Sequence, residues 1–128
     1  MAGDFLLDTN IVAAVLNEDQ QVARQLKGHT IFLSAVTIGE LSYGVDASRQ
    51  ITANRARLNA MASRTSVLAV NRFTANWYGR IKNQLRTIGR PIPDNDIWIA
   101  ATAAEHGLTL VSRDAHFSYI DGLKLVKW

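Results

Sequence analysis

Residues 5–16 read Phe5-Leu6-Leu7-Asp8-Thr9-Asn10-Ile11-Val12-Ala13-Ala14-Val15-Leu16, and the fold turns on how this stretch divides. The apolar run 5–8 has the length of a strand and ends in an acid. Thr9 and Asn10 then cap a helix carrying Ile11, Val12, Val15 and Leu16. The same order recurs downstream. Residues 30–34, around Ile31, Phe32 and Leu33, precede a segment in which Val36, Ile38, Leu41 and Val45 have helix-compatible spacing. Residues 50–66 are helix-like in composition, with Ile51, Leu58 and Met61 on one side, and lead into a β-branched run at 65–70. Phe73, Trp77, Ile81, Leu85 and Ile88 step by three or four residues and predict a helix with a core face, while Arg72, Arg80, Lys82 and Arg86 lie mostly off that stripe. Gly89 stops this helix and Pro91 and Pro93 prevent its continuation. Asp94 then stands at the N-cap of an Ala-rich helix through Ile97, Ile99, Ala100, Ala101 and Ala104 to Gly107. Residues 108–111 and 123–126 supply fourth and fifth strands. Alternation of this kind predicts an α/β fold: a parallel sheet of four to five strands with helices on both faces.

At 128 residues the chain has room for one domain, spanning 1–128, with no repeat or linker. It contains no cysteine, which excludes disulfides, thiolate metal sites and cysteine nucleophiles. No apolar run approaches the ~18 residues of a membrane span, and the start Met-Ala-Gly-Asp lacks the features of a signal peptide, so the expected location is cytoplasmic. None of the eight glycines forms a dinucleotide fingerprint or a P-loop, which disfavours a nucleotide-binding α/β domain. The net charge of +3 conceals a segregation. Residues 47–93 contain no acid and hold nine of the fourteen basic residues, whereas the flanks hold all eleven acids. A basic segment suits a polyanion, although the same arginines also fit plain solvated helix faces; clustered acids in a folded domain need cations.

Ligands of open α/β sheets bind beyond the carboxyl ends of the strands, which singles out four acids. Asp8 closes the first strand, Asp114 follows the fourth, Asp96 lies in the first turn of the Ala-rich helix, and Glu40 sits among apolar neighbours one turn into the helix after the second strand. Four carboxylates in one cleft raise one another's pKa, and a divalent cation relieves that conflict. Hard oxygen donors without cysteine or a histidine pattern suit Mg²⁺ or Mn²⁺, ions that activate water for phosphoryl displacement. Each acid also has a structural reading: Asp8 as a helix cap, Asp96 as a dipole partner, Asp114 as an Asx-turn residue, Glu40 as a salt-bridge partner. For Asp94 the structural reading is preferred, and His116, alone in a loop, reads as a surface residue.

With these residues in place, the chain resembles a PIN domain, and in particular the VapC-type toxins of type II toxin-antitoxin modules. The resemblance covers nearly the whole chain. It rests on Leu-Leu-Asp8-Thr9-Asn10, Leu-Ser-Ala-Val-Thr-Ile-Gly-Glu40-Leu, Ile-Pro-Asp-Asn-Asp96-Ile-Trp-Ile-Ala-Ala with His-Gly-Leu-Thr-Leu-Val behind it, and Ser-Arg-Asp114-Ala-His-Phe, in that order, with Gly122-Leu123 and Trp128 at the end. It implies a three-layer α/β/α fold and an Mg²⁺- or Mn²⁺-dependent endoribonuclease that hydrolyses RNA with a metal-activated water. Asp8 and Asp96 would hold the metal, with Glu40 and Asp114 binding directly or through water, and Thr9, Asn10 and Ser112 would support them. A VapB-like antitoxin lying over the groove, an RNA substrate and a homodimer are the implied partners. Arg72, Arg80, Lys82, Arg86 and Arg90 become candidates for RNA phosphates, or for an acidic antitoxin tail. Phe73 and Trp77 read as core; Tyr78 and Trp98 read as partner-contact or base-stacking residues. A catalytically silent binding module with the same fold is the alternative.

Overall fold

Leu6 and Leu7 are both fully buried although adjacent, which a strand achieves only when both of its faces are covered. The computed structural model describes residues 4–128; residues 1–3, part of the stretch read for a signal segment, lie outside it. In chain order the elements are β1 (Asp4–Leu7), α1 (Thr9–Leu16), α2 (Gln20–Leu26), β2 (Thr30–Ser34), α3 (Ala35–Asp46), α4 (Ile51–Ser63), β3 (Ser66–Leu68), α5 (Arg72–Thr87), α6 (Asp94–His106), β4 (Thr109–Ser112), a 3-10 turn (Ala115–Tyr119) and β5 (Leu125–Lys127). The five strands form one parallel sheet in the order β3-β2-β1-β4-β5. Leu6 stands opposite Phe32 on β2 and Leu110 on β4, and Leu7 opposite Val111.

That register sorts the core into two layers. Leu6, Leu110 and Phe32 pack with Ile81 and Leu85 of α5, with Ile97, Ala100 and Ala101 of α6, and with Phe117. Leu7, Leu33 and Val111 face the other way, onto Ile11 and Val12 of α1, Val22 of α2 and Met61 of α4. The three-layer α/β/α arrangement follows. Helix α3 borders both cores, since Val36 joins the first and Ile38 and Leu41 the second. The small residues of α6 let it lie close to the sheet, and Gly107 ends it in the left-handed conformation (φ 64°) that glycine adopts without strain. No helix among the described residues is long and apolar enough to cross a membrane.

Several expectations are corrected. Helix α2 was not anticipated; with Val22 its only buried residue it shows no apolar stripe, although Asp19 caps it by accepting from Val22 N–H. Ile51 is 49 % exposed, and the buried residues of α4 are Leu58 and Met61. Phe73 and Ile88 are likewise 54 % and 49 % exposed, so the supposed core stripe of α5 is core only in its middle. Successive steps of four residues advance about 40° around a helix, so a run of fours leaves its starting face. The buried line is instead Thr74, Ile81 and Leu85, with Trp77 and Tyr78 packed partly beside it.

Candidate active site

The strand order reverses at β1, so the segments leaving β1 and β4 diverge and open a crevice beyond their carboxyl ends. Asp8, the first residue past β1, is 3 % exposed. It caps α1 through Oδ1, which accepts from Thr9 N–H at 2.8 Å. Ser112, the last residue of β4, donates Oγ–H to Asp8 Oδ2 at 2.7 Å and accepts from Asp114 N–H at 3.0 Å. One hydroxyl therefore ties the first acidic block to the last. A carboxylate has about four lone-pair positions, so capping and the serine bond leave acceptor capacity for a cation.

Glu40 is half-buried on α3, and Thr9 Oγ1 donates to its Oε1 at 2.6 Å. The Thr9 hydroxyl also lies 3.2 Å from that of Thr37, whose N–H donates to the capping Ser34 Oγ at 3.0 Å. Ser34 and Thr37 are fully buried. Sequence reading missed both, yet a serine three residues before a threonine at a strand-to-helix junction is a capping signal. Asn10 Nδ2 donates to Asp114 Oδ2 at 3.4 Å, while Asn10 Oδ1 accepts from Arg113 N–H. Asp114 opens the 3-10 turn without a side-chain capping bond, so the Asx-turn reading has no support in the structure.

Asp96, in the first turn of α6, completes the group. Burial first, then the charge of Asp8, push its pKa up to about 6; Glu40 and Asp114 add to the rise and His116 opposes it. Asp8 is also raised, by burial above all and then by Asp114 and Glu40, against the pull of the hydrogen bonds from Ser112 and Thr9. The four carboxylates thus share one field. His116, expected at the surface, is the clearest omission of the sequence reading: its Nε2 stands 3.0 Å from Asp96 Oδ2, and its side chain is only 30 % exposed. Its position two residues after Asp114 was the available signal.

Asp94 is the first residue of α6 and not its N-cap, which is Pro93. Its carboxylate faces outward to Lys82 Nζ at 3.0 Å and the Tyr78 hydroxyl at 2.9 Å, leaving the groove to Asp96. The basic residues separate along α5. Lys82 stands beside the first turn of α6, whereas Thr74 bonds Glu105 near its last turn, which puts Arg72 at the opposite end of the helix pair. Arg72, Arg80 and Arg90 lie over the rings of Phe73, Trp77 and Tyr119 at 4.9, 4.5 and 4.8 Å. Arg86 is exposed on the same helix. Tyr78 and Trp98 stack on each other with ring centroids 4.1 Å apart. A cleft of about 350 Å³ adjoins Glu40, walled by Leu16, Leu41, Val45 and Leu58 and edged by Arg57.

The sequence model described as PIN domain matches residues 5–123. The chain belongs to the PIN domain family. Within it the chain falls among VapC-type proteins, as the four-block pattern implied. This PIN domain is 32 % identical to the tRNA(fMet)-specific endonuclease VapC of Shigella flexneri, with 97 % of each chain covered. It superposes on the DNA-bound VapBC of Salmonella typhimurium with a TM-score of 0.92 at 29 % identity, covering 100 % of this chain and 99 % of that one. For VapBC-5 of Mycobacterium tuberculosis, described as a member of the VapBC family of toxin-antitoxin systems, the TM-score is 0.75 at 31 % identity over 98 % and 97 % of the chains.

Proposed function

We propose that this PIN domain is an Mg²⁺- or Mn²⁺-dependent endoribonuclease, the toxin of a type II toxin-antitoxin pair. The observation that carries the reading is the gathering of Asp8, Glu40, Asp96 and Asp114 in one crevice, where burial and then mutual repulsion lift Asp96 to about 6. A hard divalent ion fits this donor set, because it replaces the protons that the crowded carboxylates otherwise retain. Asp8 and Asp96, whose carboxyl pKa values burial raises, would hold the ion directly, and Glu40 and Asp114 directly or through water. When bound, the ion supplies acidity to the attacking water and positive charge for the phosphodiester as it gains negative charge.

The chain's own groups set the geometry. Ser112 holds Asp8 and the Asp114 loop in register, and Thr9 aims Glu40 into the crevice. Lys82, Arg86 and Arg90, in the carboxyl-terminal half of α5 or just past it, would bind RNA phosphates flanking the cut, with Arg80 and Arg72 progressively farther away. The apolar cleft beside Glu40, edged by Arg57, would receive the antitoxin, whose carboxylates the basic residues match. A homodimer belongs to the same reading.

The test uses purified full-length chain with initiator tRNA, the substrate named for the Shigella relative, and with unstructured RNA. Cleavage is expected with Mn²⁺, none with chelator, and none from Asp96→Asn. Tight RNA binding with no divalent-dependent cleavage would replace this reading with that of a silent binding module.

A further inference from the structure

The loop after β4 also brings a histidine to the four acids of the crevice. His116 lies in the 3-10 turn beside Phe117, which is fully buried and anchors the turn to the core. The two rings meet edge-on with centroids 4.8 Å apart, which fixes the imidazole's orientation. Its Nε2 is buried. It stands 3.0 Å from Asp96 Oδ2, yet it has no hydrogen-bond partner, because the approach lacks the required alignment. A buried ring nitrogen left unpaired is costly, and at a polar site its usual explanation is an ion or a water that belongs there. One donor atom each from Asp96, Asp114 and His116 lies within 4.8 Å of the other two. Donors held about 2.1 Å from one ion stand about 3 to 4.2 Å apart, so small side-chain rotations bring these three onto a common centre.

We propose that His116 Nε2 is a ligand of the divalent ion in this crevice, beside carboxylate oxygens of Asp96 and Asp114, and that this nitrogen gives the site a preference for Mn²⁺ over Mg²⁺. The proposal rests on the metal-dependent reading above and refines it. Mg²⁺ keeps oxygen donors and its own waters, whereas imidazole suits the first-row transition ions, among which Mn²⁺ also retains a taste for carboxylate. An all-oxygen set would hold the two ions more nearly alike. The imidazole therefore acts as a selector, and the carboxylates supply the charge.

The experiment adds Mn²⁺ alone to metal-stripped full-length chain and records its binding isotherm and pulsed electron paramagnetic resonance spectrum, with Mg²⁺ titrated in parallel. The wild type is expected to show a ¹⁴N coupling on bound Mn²⁺ that disappears in His116→Gln and His116→Ala. In those variants Mn²⁺ affinity should fall about tenfold, while Mg²⁺ affinity changes by less than about twofold. Bound Mn²⁺ without nitrogen coupling in the wild type overturns His116 ligation and leaves the carboxylate site standing. A coupling that persists in both variants overturns it too, since another nitrogen is then responsible. Failure of the wild type to bind Mn²⁺ at all overturns both this proposal and the metal-dependent reading. The decisive spectrum comes from the unaltered chain, so a misfolded variant cannot imitate the result.

Discussion

The acidic crevice and the basic outer face of α5 carry opposite charge and are built by opposite means. In the crevice, Asp8 is 3 % exposed and three of the acids are held by hydrogen bonds, Ser112 and the Thr9 N–H for Asp8, the Thr9 hydroxyl for Glu40 and Asn10 for Asp114, while Asp96 faces His116 without one. On α5 the cations stand in solvent, leaning on the rings of Phe73 and Trp77, and the Lys82–Asp94 pair has side chains 53 % and 63 % exposed. Burial makes the crevice charges interact strongly and shift one another's protonation, whereas water screens the helix charges. The crevice is therefore organised for chemistry at one point and the helix for attraction over a surface.

That contrast ranks the expected effects of substitution. Asp8→Asn should lower RNA cleavage by about a thousandfold or more while leaving the circular dichroism spectrum unchanged, as a group that acts on the reacting atoms requires. Wild-type rates from this variant would erase the distinction between the two regions. Ser112→Ala removes a donor to a buried carboxylate and an acceptor for Asp114 N–H, so urea unfolding should show a loss of about 1–3 kcal/mol. Lys82→Ala, which removes a solvent-screened pair, should shift the same unfolding curve far less. A reversed order would mean that the exposed face, and not the crevice, carries the structural tension.

The next effect is on pH. Asp96 and Asp8 are raised above their ordinary 3.8, so the folded chain binds their protons more tightly than the unfolded chain does. The stability they contribute is complete below 3.8 and is lost as the pH rises, for Asp96 through about 6. Asp19 and Asp94 are lowered by their hydrogen bonds, and their contribution is lost only as the pH falls below 3.8. Metal-free protein is thus expected to melt at a higher temperature at pH 5 than at pH 7.5, with the difference shrinking in Asp96→Asn and on adding Mn²⁺. An unchanged difference in both cases would locate the titration elsewhere. Smallest of all, Lys82→Ala should reduce the logarithmic salt dependence of RNA binding by about 0.7–0.9, and Arg72→Ala should leave it unaltered. Equal effects from both would show that RNA covers the whole length of α5.

The crevice was more legible in the sequence than the helices around it. Asp8, Asp96 and Asp114 stand at strand ends and helix starts, and Glu40 a turn into α3, positions that strand-helix alternation fixes without knowledge of side-chain packing. The layers followed too, because Leu6 and Leu7 must face opposite ways. Exposure of Phe73 and Ile88 did not follow, since it depends on how α6 lies across α5. Helix α2 escaped for a different reason: seven residues with one buried valine carry too little periodicity. His116 escaped because its place beside Asp96 depends on how α6 sits against the loop after β4, which the residues around it do not disclose.

The bond between Ser112 and Asp8 spans 104 positions of sequence, and β4 pairs directly with β1. Synthesis delivers these partners far apart in time. A growing chain on the ribosome carries Asp8 from the start, but it has neither the neighbouring strand nor the closing hydroxyl until β4 has emerged. A chain released before β4 has emerged therefore lacks both the strand and the hydroxyl that complete the surroundings of Asp8.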